Sequence, residues 1–325
     1  MKTLVCAGAM ALLSSQAFAQ AAAPASTPPA TVQGESETAG GLATPIGHDV
    51  NVSLSGYEYG EPLETSISIH GLKIGGEYTG TFPMSRTRHW FAQVGLRAVT
   101  GQTTYDGWCS PFMIAPDSRS PNGYVLMLGD WSPCSESGNS DWYVETRGLI
   151  GKDLIGRTWA WSPYAGLGFR HLSNGIGGIS GYRTDAYLYL PVGVTARTRV
   201  ASSGMLGFTL EYDQLLHGWQ TTRDSRFGGG EVPATPTAPA FTIEGFSDIS
   251  FDQHAGFALR ASGQYRFTKR WSVEPYYVYW NVKDSPVSYE TVAFTVNGVT
   301  AVQQFGAYEP DNFTHEFGVK LGFRF

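Results

Sequence analysis

From residue 48 onward, apolar and polar positions alternate along successive stretches of the chain, separated by breaks rich in Gly, Pro, Ser, Asn and Asp. A period of two puts alternate side chains on opposite faces of a β-strand, so each stretch predicts a strand with one apolar and one polar face. Ten can be read, over 48–59, 67–81, 89–104, 141–150, 157–173, 182–197, 205–217, 249–267, 271–282 and 313–325. In the third, Trp90, Ala92, Val94, Leu96 and Ala98 oppose Gln93, Gly95 and Arg97. In the sixth, Ala186, Leu188, Leu190, Val192 and Val194 share a face. The last alternates almost without fault, Phe317, Val319, Leu321, Phe323 and Phe325 against Glu316, Lys320 and Arg324.

The connections sort by parity. Those at 83–88, 151–156, 198–204 and 268–270 are short, whereas 105–140, 218–248 and 283–312 are long. Single-chain outer-membrane barrels have an even strand number, short periplasmic turns and longer external loops. The expected fold is therefore all-β: an antiparallel transmembrane β-barrel of about ten strands, both termini periplasmic, embedded in outer-membrane lipids. A soluble sandwich has no reason to sort its loops this way.

The amino terminus agrees. Met1-Lys2-Thr3 is basic, Leu4 to Leu13 is apolar, and Ala17-Phe18-Ala19 is a small-x-small site, so residues 1–19 read as a cleaved secretory signal. The apolar run is too short to span a bilayer. Residues 20–47, rich in Ala, Pro and Thr, bury too little apolar surface to offset their ordering entropy and are expected to form a disordered leader before a barrel over 48–325. The aromatic last strand, ending in Phe325, resembles the signal by which barrel-assembly machinery recognises its clients, and names that machinery as an expected partner.

Composition then narrows the chemistry. Charged residues are only 15% of the chain, and mean hydropathy lies near zero, as when lipid-facing and lumen-facing positions average out. A net charge of −6 argues against a nucleic-acid surface. Cys6 leaves with the signal. Cys109 and Cys134 remain, both in the first long connection, where export favours a disulfide. Their wide spacing, without CxxC, offers no metal site, and no cofactor is expected.

The polar faces carry Arg97, Glu145, Arg147, Arg170, Glu211, Asp213, His254, Arg260, Glu316 and Lys320. A barrel of about ten strands encloses little more room than side chains fill. These groups are expected to pair into a network that fills the lumen; an ion-selective pathway is the alternative.

Several motifs, namely Tyr57-Glu58-Tyr59-Gly60-Glu61-Pro62, Tyr105-Asp106-Gly107, Glu145-Thr146-Arg147-Gly148, the run from Ser162 to Arg170, and Tyr187-Leu188-Tyr189-Leu190-Pro191, resemble a poorly characterised family of outer-membrane barrels that is distantly omptin-like. The likeness covers most of the chain after residue 48 and implies architecture more than activity. Omptins are surface proteases in which paired aspartates face an Asp-x-His. Here Asp106-Gly107-Trp108 resembles the second aspartate and its tryptophan, but Thr104 occupies the place of the first carboxylate, and no Asp-x-His follows His217-Gly218-Trp219. Without that base, hydrolysis by this route loses roughly 10²–10⁴-fold.

A shorter stretch, Arg170-His171-Leu172-Ser173-Asn174-Gly175, resembles the His-x-Ser-Asn of outer-membrane phospholipase A and of lipid A deacylase barrels, with Asp185 at the spacing of the third member. The resemblance implies a lipid-cleaving serine hydrolase. Parity opposes it: His171 and Ser173 should face lipid while Asp185 points into the lumen, unless a bulge re-aims it. The expected role is structural or binding, carried by surface loops, with no identified catalytic site.

Overall fold

The computed structural model describes residues 41–62, 67–85, 89–175, 182–200, 204–226 and 229–325. In chain order its strands are β1 (Gly47–Glu61), β2 (Ile67–Ser85), β3 (Trp90–Cys109), β4 (Phe112–Pro116), β5 (Tyr124–Leu128), β6 (Ser132–Lys152), β7 (Leu154–Ile155), β8 (Trp159–Gly175) and β9 (Tyr182–Val200). They continue as β10 (Gly204–Arg223), β11 (Gly230–Val232), β12 (Phe241–Phe246), β13 (Ile249–Gln253), β14 (Gly256–Arg266), β15 (Trp271–Val282), β16 (Ser288–Val296), β17 (Val299–Ala307) and β18 (Asn312–Arg324).

Ten of these strands close into an antiparallel barrel in the order β1-β2-β3-β6-β8-β9-β10-β14-β15-β18, with β7 and β13 as short additions beside β8 and β10. The seam runs in continuous register from Asp49↔Arg324 to Gly60↔Phe313. Closure pairs every strand on both sides, the condition for a sheet in lipid, where an unpaired backbone group finds no water.

The two faces follow the sequence alternation. Val52 and Leu54 are 58% and 61% exposed, while Ser53, Ser55 and Tyr57 between and beyond them are buried in the lumen. Leu72, Ile74, Val94, Leu96, Leu167, Leu210, Phe317 and Leu321 continue the exposed apolar belt around the barrel. An apolar surface of that extent needs an apolar solvent. Aromatics flank it, with Phe82, Trp90, Trp159, Trp271 and Phe325 towards the short turns and Trp142, Tyr212 and Trp219 towards the long connections.

The long connections are folded. β4 and β5 pair as a hairpin, and β11-β12-β16-β17 form a separate four-stranded sheet. β16 and β17 turn through Asn297 and Gly298, both at positive φ (50° and 77°), the geometry that a two-residue hairpin with the strand twist requires. Between hairpin and sheet lies a core of Ile114, Leu126, Phe241, Ile243, Val292, Phe294, Val296 and Ala301. Gln303 locks the layers, accepting from the Leu126 amide at 2.8 Å and donating to its carbonyl at 2.9 Å. Each such side chain contributes about 1.5–3 kcal/mol on burial, enough together to order chain that would otherwise be loop. Residues expected to be surface loops thus make a cored head.

At the opposite end, residues 41–46, expected within the leader, are packed in place. Leu42 is buried, the Thr44 amide donates to Asp153 Oδ2 at 2.8 Å, and its hydroxyl donates to Asp153 Oδ1 at 2.6 Å.

Cys109 and Cys134 form a disulfide joining β3 to β6 at the root of the β4–β5 hairpin. Closing its 25-residue span removes about 3.5 kcal/mol of unfolded-chain entropy. Reduction should therefore speed protease cleavage within 110–131 while the heat-dependent gel shift of the folded barrel persists. Limited proteolysis with and without reductant measures this. Equal resistance in both would show that the head does not need the bond.

Candidate functional site

The lumen concentrates the charged groups. Glu145 on β6 receives Arg260 of β14 through two bonds, Nη2 to Oε1 at 2.6 Å and Nη1 to Oε2 at 3.1 Å, and the Tyr189 hydroxyl donates to Oε1 at 2.7 Å. The same guanidinium reaches Asp213 Oδ2 at 2.6 Å and Glu211 Oε1 at 3.3 Å. Arg147 pairs with Glu211, which also accepts from Tyr164 at 2.7 Å. Across the barrel, Arg97 donates to Glu316 at 2.6 Å, and Tyr143 and Tyr276 donate to the same carboxylate at 2.8 Å each. Arg170 lies over the Tyr143 ring at 4.0 Å, a cation–π contact. Lys320 sits between Glu77 and Glu274, at 2.8 and 3.2 Å.

Nine of the ten residues expected in the lumen are therefore inside it. His254 is the correction. It lies exposed in the break between β13 and β14, its ring 5.0 Å from that of His217, which contacts Asp252 at 3.1 Å. A register shift between Leu215 and His217 on β10, together with that break, turns this corner outward, so simple parity fails there.

Other charged groups, outside the expected set, also lie inside. Lys73, 1% exposed, donates to Asp141 at 2.5 Å and lies 3.1 Å over the Tyr57 ring. Its place between Leu72 and Ile74 was a readable signal. Arg183 faces Glu61 and Glu309 at 3.6 and 3.5 Å, and Glu309, from the connection before β18, had no periodicity to announce it. Among the ions lies a mostly aromatic cluster of buried side chains that includes Tyr143, Tyr187, Tyr189, Leu215, Tyr276 and Trp280.

The hydrolase constellation is not assembled. His171 pairs with Ala186 and Ser173 with Thr184, while Asp185 pairs with the inward Leu172, and no register shift interrupts β8 and β9. His171 stacks edge-on against the exposed Trp142, whereas Asp185 lines an internal cavity with Arg170 and Arg183. The three side chains thus lie on two sides of the wall. Of the omptin-like residues, Asp106 is half-exposed beside His70, 3.8 Å away, with Tyr105 pointing inward between the strands.

No family profile and no curated protein sequence matches the chain. Solved structures that resemble it include the outer membrane protease OmpT of Escherichia coli, at 12% identity and a TM-score of 0.44, covering 87% of this chain and 98% of that one. The translocator domain of autotransporter NalP from Neisseria meningitidis matches at 9% identity and a TM-score of 0.34, covering 89% and 92%. The toluene transporter TodX of Pseudomonas putida matches at 10% and 0.30, covering 89% and 91%. The likeness is one of barrel fold.

The head meets the barrel at a titratable pair. The short 3-10 turn Asp224–Arg226 follows β10, and Asp224 hydrogen-bonds to Glu290 of β16. Partial burial, and then the neighbouring Asp224 carboxylate, push the Glu290 carboxyl from 4.5 up to about 7. A raised acid favours the protonated fold, so its stabilisation is full below pH 4.5 and is lost as pH rises through 7. Protease susceptibility of the head should increase over that window in the native protein. Glu290→Gln should remove the dependence and protect the head at alkaline pH; an unchanged profile would refute the role of this pair.

Proposed function

We propose that this protein is a non-conducting outer-membrane barrel whose working part is the head, displayed outside the cell as a binding surface. The observation that carries this reading is the pairing of a head having its own apolar core with a lumen obstructed by ions and aromatics. A channel needs a continuous wet path, and a lumen of this width has none once its inward side chains interlock. Short turns at the other end, beside the packed segment 41–46, support a periplasmic position for that end, as short turns have in outer-membrane barrels. Exposed Tyr289, Val302 and Trp131, at 62%, 69% and 56%, give the head apolar contact points suited to a partner.

Planar-bilayer recordings of the purified chain should show small or no steps. Replacing 288–307 by a two-residue turn should leave the gel-shifting barrel intact and abolish attachment of expressing cells to host-cell or matrix-coated surfaces. Large, stable porin-like steps would overturn the reading, as would unaltered attachment by the head-truncated protein.

A further inference from the structure

Between the central ion network and the short-turn mouth, the lumen widens into a chamber of about 250 Å³. We propose that the mouth of this chamber is a binding site for a small tetrahedral oxyanion of the phosphate or sulfate type.

Charge is unbalanced there, and one guanidinium is under-used. Arg197, Arg266 and Arg324 line the chamber from β9, β14 and β18. Their carboxylate partners are two, Asp49 and Asp153. Arg324 takes Asp49 with both ends of its fork, one bond being Nε to Oδ1 at 2.9 Å. Arg266 is left with the same carboxylate at 3.4 Å and Gln264 Oε1 at 3.5 Å, both at the limit of hydrogen bonding. Yet Arg266 is only 8% exposed, and a guanidinium has five donors and no acceptor of its own. Arg197 uses one nitrogen on Ser162 and Thr44, at 2.7 and 3.0 Å, and meets Asp153 only at 3.8 Å.

Deeper in, the charges are matched, Arg97, Arg147, Arg260 and Lys320 standing against Glu77, Glu145, Glu211 and Glu274. The unmatched positive charge is therefore at the mouth, beside Arg266. Guanidinium forks match tetrahedral oxyanions through paired N–H bonds. Asn51, Gln93, Thr195 and Ser262 line the same chamber with neutral polar groups. Thr44 and Pro45 form part of its wall, so the segment before β1 helps to build the site. None of this depends on what the head binds.

Calorimetric titration of the full mature chain, folded in detergent, with sodium phosphate and separately with sodium sulfate, tests the site at ionic strength held constant with chloride. Saturable one-to-one binding is expected. Arg266→Gln should weaken it roughly tenfold or more. Asp49→Asn should tighten it, because both forks are released from their carboxylate. The heat-dependent gel shift verifies that each variant is folded, and if Arg266→Gln does not fold, the opposite-signed Asp49→Asn arm decides. Absence of saturable heat into the tens of millimolar, or an affinity unmoved by the substitutions that fold, overturns the proposal.

Discussion

The charge network in the lumen is the constraint on which the rest of the structure depends. Closing ten strands brings inward side chains from distant parts of the chain within reach of one another. There each ion must find partners, because a desolvated charge without them costs several kcal/mol. Arg260 and Glu145 are 115 residues apart in sequence, and Arg97 and Glu316 are 219 apart. Such bonds run across the barrel between strands that are not neighbours, so they fix its cross-section in a way that the ladder of adjacent strands does not.

Both ends of the molecule inherit that rigidity. In the middle, Tyr187, Tyr189, Tyr276 and Trp280 pack as a buried cluster among the ions, and the head with its separate core lies at the long-connection end. At the other end the pairing is incomplete. Asp49 serves two guanidiniums, and Asp153 is shared among Thr44, Ser162 and Arg197. The network is thus dense in the middle, where it closes the barrel, and sparse at the mouth, where a solute can complete it.

The fold was legible because a barrel strand has two solvents and the sequence alternates between them. Each of the ten barrel strands overlaps a predicted stretch, and 271–282 matches to the residue, but 249–267 divides into β13 and β14. Parity also placed His171 and Ser173 apart from Asp185. The head was not legible, because its core draws on three connections that have no common period: Ile114 and Leu126 from one, Phe241 and Ile243 from the next, Val292 and Phe294 from the last. Local turn signals in the head were Asn122-Gly123 and Asn297-Gly298, one in each hairpin, with Gly123 and Gly298 at positive φ. His254 misled because a break in the strand resets the face, and breaks of that kind leave no mark in the apolar pattern.

The most direct measurement is a double-mutant cycle on Glu145 and Arg260, read by urea unfolding of the barrel in lipid vesicles. If the network holds the lumen closed, Glu145→Ala and Arg260→Ala should each cost about 3–5 kcal/mol, because each leaves buried charge without its partner, and the double variant should cost clearly less than their sum. Single losses within about 0.5 kcal/mol that simply add would contradict this, and would mean that the lumen ions are solvated passengers in a barrel held by its backbone alone.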